Sequence, residues 1–182
     1  MMTVALLVSL FQQEEDGFKF KKDTEWTYDF SGYADFTKAV LTVEEAEKGK
    51  MKMKMVYSDS QNTKISQGWV VEVADGGLTL SQSRSDDSKS PGFRVYKFGA
   101  KKGDKWESPF YSKTATAEFR GQEELTVPAG KYPKALHVAI KTDAGGAFEV
   151  WLVPKVGIIK MTYSDDGNDQ NYTLTKVSLP KE

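Results

Sequence analysis

Apolar and polar residues alternate at period two along most of this chain. Trp26, Tyr28 and Phe30 share one face of the segment 25–30. Met51, Met53 and Met55 oppose Lys50, Lys52 and Lys54 in the segment that follows Lys48-Gly49. Only an extended strand gives each of those two sets its own side. Gly68 to Ala74, with Trp69, Val71 and Val73 in step, and Leu78 to Ser83 flank Asp75-Gly76-Gly77, which reads as a hairpin. Residues 37–46 fit both periods. The tight-turn signal at Lys48-Gly49 and the clean strand after it favour a strand there. Arg94 to Phe98 is short and extended, and Ala100 to Lys105 is a basic turn into Trp106.

The same grammar continues to the end of the chain. Thr114 to Phe119 and Glu123 to Val127 flank Arg120-Gly121-Gln122, which reads as another tight connection. Val127-Pro128-Ala129-Gly130 stops a strand, because Pro128 has no N–H for a ladder and Gly130 permits positive φ. Leu136, Val138 and Ile140 alternate with Ala135, His137 and Ala139. Asp143 to Gly146 turns the chain, Phe148 to Val153 returns, and Tyr172 and Leu174 lie on a final strand. Ser85 to Gly92 and Ser164 to Gln170 are polar connections. About a dozen strands at roughly 8–12-residue spacing predict an all-β fold. The expected form is a large curved antiparallel sheet, a half-open or flattened barrel. Residues 17–182 form one β domain in this reading. Phe18 to Trp26 and Tyr96 to Trp106 each place aromatics, a basic turn and a tryptophan before an extended run, which suggests two similar halves meeting near residue 90.

Composition narrows the function classes. The 182 residues carry a net charge of −1, with both signs mixed along the chain. No basic stripe is available to a phosphate backbone, so nucleic acid is not an expected partner. With no cysteine, thiolate catalysis, Cys-ligated zinc and a lipid anchor on cysteine are excluded. Thr3 to Phe11 is an apolar run too short to span a bilayer. Residues 1–16 therefore read as a signal-peptide remnant or a disordered tail, the alternative being a first strand. The signal reading implies a periplasmic or secreted protein.

At 123–160, Glu-Leu-Thr-Val-Pro-Ala-Gly-Lys-Tyr is followed by a strand and then by Trp151-Leu-Val-Pro-Lys-Val-Gly-Ile-Ile-Lys. This resembles uncharacterised exported bacterial β-sheet proteins, some named TapB-like and others only as a domain of unknown function. Gly103 to Trp106 resembles their G-x-x-W opening. The resemblance implies export and a curved sheet akin to the lipoprotein carriers LolA and LolB. It implies no catalytic residues.

Candidate chemistry is sparse. His137 is the single histidine, and no G-x-S-x-G elbow accompanies it, so no hydrolytic triad or all-histidine metal site is expected. The methionine stripe could present thioethers to a soft cation, but flanking lysines oppose one, and core packing is the preferred reading. Asp165 to Asp169 departs from an EF-hand order and reads as a turn. No cofactor or metal is expected. The aromatic set is the lead: Trp26, Tyr28, Trp69, Trp106 and Trp151 could line a concave apolar face. The expected function is an exported, non-enzymatic binding or structural protein holding an apolar or lipid-like ligand. The alternatives are a carbohydrate-binding module using exposed tryptophans and, less favoured, a carboxylate-based hydrolase.

Overall fold

The computed structural model describes residues 17–83, 91–110, 113–143 and 145–180. The N-terminal apolar run, most of the polar loop expected at 85–92 and part of the turn at 143–146 lie outside them. Twelve strands follow one another in chain order. They are β1 (Glu25–Ser31), β2 (Phe36–Glu47), β3 (Lys50–Asp59), β4 (Lys64–Ala74), β5 (Gly77–Ser83) and β6 (Phe93–Lys97), then β7 (Lys105–Phe110), β8 (Lys113–Val127), β9 (Gly130–Thr142), β10 (Ala147–Val153), β11 (Gly157–Asp165) and β12 (Asn168–Ser178). All pair antiparallel in one sheet of order β6-β5-β4-β3-β2-β1-β12-β11-β10-β9-β8-β7. The fold is all-β, a nearly closed barrel. Residues 36–47 are a strand, as their flanking turn signal implied.

Local turn chemistry sets the hairpins. Lys48-Gly49, Asp75-Gly76 and Asp166-Gly167 all have positive φ at both positions. That is the type I′ geometry whose twist matches the flanking strands. The register follows: Glu47 pairs with Lys50, Ala74 with Gly77 and Asp165 with Asn168. The polar side of β3 faces outward, where Lys52 meets Glu45 at 2.8 Å and Lys50 meets Glu72 at 3.2 Å across the strand pairs. The methionine side is buried.

One expected turn is absent. Residues 120–122 lie within β8, which runs unbroken against β9. Gly121 has φ +112 and sits at a register shift, so it makes a β-bulge. Positive φ at glycine serves a bulge as well as a turn, and only the pairing partner distinguishes them.

Chain topology makes two six-stranded meanders, β1–β6 and β7–β12, joined where β1 pairs with β12. Their lead-in turns share a hydrogen-bond pattern. Asp23 N–H donates to Val43 O, and Val43 N–H returns to Thr24 O; Gly103 N–H donates to Phe119 O, and Phe119 N–H returns to Asp104 O. The free edges β6 and β7 meet through side chains, not a ladder. Trp106 Nε1–H donates to Arg94 O at 2.8 Å, Arg94 N–H donates to Ser108 Oγ at 3.0 Å, and Phe93 packs edge-on against Phe110. This covers two edges that would otherwise be templates for other strands.

One end of the barrel is floored by the lead-in to β1. Phe18 is buried, stacked on Phe98 and edge-on to Tyr96. Phe20 meets Trp26 edge-on at 4.8 Å, and its N–H points at Met51 Sδ, 3.3 Å away. Lys155 N–H donates to Gly17 O, tying the floor to the turn between β10 and β11.

Candidate functional site: an apolar cavity inside the barrel

Inward-facing alternate residues leave a cavity of about 420 Å³. That lies within the usual range for small-molecule sites. Near the floor its walls come from Phe18, Phe20, Trp26, Met51, Leu78 and Leu152. Higher up, Met53, Met55, Trp69, Leu80, Phe148 and Met161 continue the wall. Its polar lining residues, beyond the tryptophans, are Gln67, Gln82, Gln170 and the tyrosines 28, 57, 163 and 172. Among the described residues, no Asp, Glu, Lys, Arg or His lines it.

The polar groups deep in the barrel are engaged by the protein itself. Trp26 Nε1–H donates to Val156 O at 2.5 Å, and Tyr28 Oη–H donates to Ile158 O at 3.0 Å. The floor thus presents carbon and sulfur to the cavity. Trp69 Nε1 is buried without a hydrogen-bond partner among the described residues. Toward the other end, the Tyr57 and Tyr172 hydroxyls bond each other at 3.0 Å, and both rings pack against Phe30. Tyr172 Oη–H also lies 3.3 Å from Gln170 Oε1.

Burial pushes the Tyr28 phenol well above its ordinary range. Tyr172 is raised mainly by burial and further by Tyr57 beside it. Tyr57 is raised by burial, partly offset by its hydrogen bond with Tyr172. All three stay neutral through ordinary pH. A raised folded value means the native state holds its proton more tightly than the unfolded chain. Their contribution to stability is therefore complete below about pH 10 and declines as pH rises beyond it. Thermal melts between pH 8 and 11.5 are expected to show that decline. Tyr28→Phe and Tyr172→Phe should each make it shallower.

The expected aromatic set divides in space. Trp26, Tyr28 and Trp69 are in the cavity wall, whereas Trp106 and Trp151 are not. Trp106 lies at the β6–β7 seam. Trp151 has the opposite parity to Val150 and Leu152, which line the cavity. It stacks on His137 at 4.5 Å, donates to Glu123 Oε1 and lies beneath the Lys160 ammonium. His137 is paired with Glu149 at 2.5 Å in this same cluster. Trp151 is 9% exposed despite facing away from the cavity.

The methionine stripe is both core and cavity wall: Met51, Met53 and Met55 are buried and line the space. Met53→Leu and Met55→Leu are expected to change stability by less than about 1.5 kcal/mol each, since volume is conserved. Met51→Leu should cost more, because it removes the acceptor facing Phe20 N–H. Urea unfolding of the three single variants checks the order. The glutamines were not singled out by sequence reasoning. Their signal was present: Gln67 is in step with Trp69, Gln82 with Leu80, and Gln170 with Tyr172, each on an otherwise apolar face.

No protein-family model matches the chain, and no curated protein matches it. The fold has known counterparts. The chain is similar to a Bacteroides fragilis protein of YmcC-like fold that is inferred to be exported, with TM-score 0.56 and 13% identity over 88% of this chain and 98% of that one. It is also similar to a β-barrel-like protein of domain of unknown function DUF1849 from Brucella abortus, with TM-score 0.43 and 10% identity over 89% and 99% of the two chains. The first likeness establishes a shared fold. Neither protein bears the TapB-like, LolA or LolB name.

Proposed function

We propose that this protein is an exported, non-enzymatic carrier or receptor that holds an apolar, lipid-like small molecule inside the barrel. The observation that carries this reading is the cavity itself, about 420 Å³ and walled mainly by aromatic, aliphatic and thioether side chains. The described lining holds no Asp, Glu, Lys, Arg or His, a composition that favours holding an apolar molecule over acid–base chemistry on it. Export is supported by the apolar N-terminal run and by the shared fold with a protein inferred to be exported. The sugar-stacking alternative needs exposed indoles. Trp26 and Trp151 are buried, and Trp69 and Trp106 are half-buried against the core.

Titration with 1-dodecanol tests the reading. Saturable quenching of tryptophan fluorescence is expected, because Trp26 and Trp69 are in the wall. The heat-capacity change on binding should be negative. Stability should rise by about 2.7 kcal/mol at a hundred times Kd, since only the native state binds. Leu80→Trp, which fills the cavity, should abolish the effect. No saturable response to dodecanol in the unmodified protein would sink the proposal.

A further inference from the structure

The lining of the cavity is graded from one end to the other. β4 begins, β5 ends and β12 begins at the same end of the barrel. Gln67 lies near the start of β4, Gln82 near the end of β5 and Gln170 near the start of β12. The Tyr57–Tyr172 hydroxyl pair lies toward that end too. At the opposite end Phe18, Phe20 and Trp26 close the floor, with its polar atoms already bonded to backbone carbonyls.

Resting on the cavity reading above, we propose that the ligand is a single-chain amphiphile bound head-out. Its alkyl chain descends to the Phe18–Trp26 floor, and an uncharged hydrogen-bonding head group, such as a hydroxyl or a primary amide, sits among Gln67, Gln82 and Gln170.

Three arguments select this class. A carboxamide offers both donors and an acceptor, so three of them match a neutral head that both gives and takes hydrogen bonds. An ionised head drawn among them would lose water and gain no counter-charge from the described lining, which is costly. Gln170 already accepts from Tyr172 and Gln82 is not without a partner, but each carboxamide has further donor or acceptor capacity, which a molecule without polar atoms would bury unmatched. The depth fixes the chain. Met51 to Tyr57 is six residue steps along β3, which is about 20 Å along the strand and about 15 Å along the axis of a barrel with ordinary strand tilt. An extended chain of about a dozen carbons covers that length.

Four dodecyl compounds with one chain and different heads provide the test: 1-dodecanol, 1-monolauroylglycerol, laurate and dodecyltrimethylammonium, each displacing a hydrophobic fluorophore at pH 7.5. The two neutral heads are expected to bind at least about tenfold more tightly than either ion. Gln67→Leu combined with Gln170→Leu should reduce that preference to about twofold or less, while the variant keeps its cooperative melt and still binds the chain. In crystals soaked with 12-bromo-1-dodecanol, the bromine anomalous signal is expected beside Trp26. Equal affinities for all four heads, or an unchanged preference in the double variant, overturn the head-group inference and leave the cavity reading standing. Bromine beside Gln67 or Gln170 overturns the orientation. Failure of all four to bind overturns both readings.

Discussion

Trp26→Ala is expected to lower stability by about 3–5 kcal/mol, the range for truncating a large buried aromatic residue. Trp26 is 2% exposed and joins three parts of the molecule. Its ring receives Phe20 edge-on, its Nε1–H bonds Val156 O, and its indole lies against Gly157. Truncation would open a hole between the floor and the β10–β11 turn and leave the Val156 carbonyl without its donor. Trp26→Phe separates the two effects: it keeps an aromatic ring and loses the hydrogen bond. The cost of that bond alone should be about 1–3 kcal/mol. Urea unfolding of both variants measures the difference. A Trp26→Ala protein as stable as Trp26→Phe would mean that the ring adds nothing beyond the bond. The contact with Gly157 also gives a physical role to the Trp151–Gly157 sequence motif. Its Pro-Lys-Val-Gly turn, with Lys155 and Gly157 at positive φ, presents the carbonyl that holds Trp26.

Gly32→Ala is expected to destabilise by about 3 kcal/mol or more, through backbone strain and steric overlap together. Gly32 follows β1 with φ +104, and a Cβ there would lie 1.7 Å from Asp169 O. The obstacle is backbone of β12, the strand paired with β1, so relief requires moving the junction between the two meanders. Gly76→Ala is the control. Gly76 has φ +72 in the β4–β5 turn, but nothing lies within 4 Å of its would-be Cβ. It should lose only about 1–2 kcal/mol, the left-handed penalty for an L-residue. If the two variants melt at the same temperature, the close approach of β12 is not what demands glycine at position 32.

The residues that proved hardest to read from sequence were those whose role depends on a distant partner. Gly121 is chemically suited to a turn, and became a bulge because β9 is long enough to pair with β8 on both sides of it. Trp106 and Trp26 occupy equivalent sites at the starts of β7 and β1, yet one seals the seam and the other lines the floor. The difference is that β7 is an edge strand while β1 has β2 and β12 on its flanks. Trp151 shares its strand with cavity residues and differs from them only in parity.

Period-two alternation and local turn residues determined the elements: strands wherever one face was apolar, and tight hairpins wherever Lys-Gly or Asp-Gly could take positive φ at both positions. Those are short-range properties, written in neighbouring residues. The tertiary structure alone decided how the sheet closed, and that Gln67, Gln82 and Gln170 gather at one end. These depend on pairings such as Glu25 with Ser178 and on the side-chain seam between β6 and β7. Alternation separates the two sides of a strand, but it carries no information about which other strand will share that side, because the sheet closes through contacts between residues far apart in the chain.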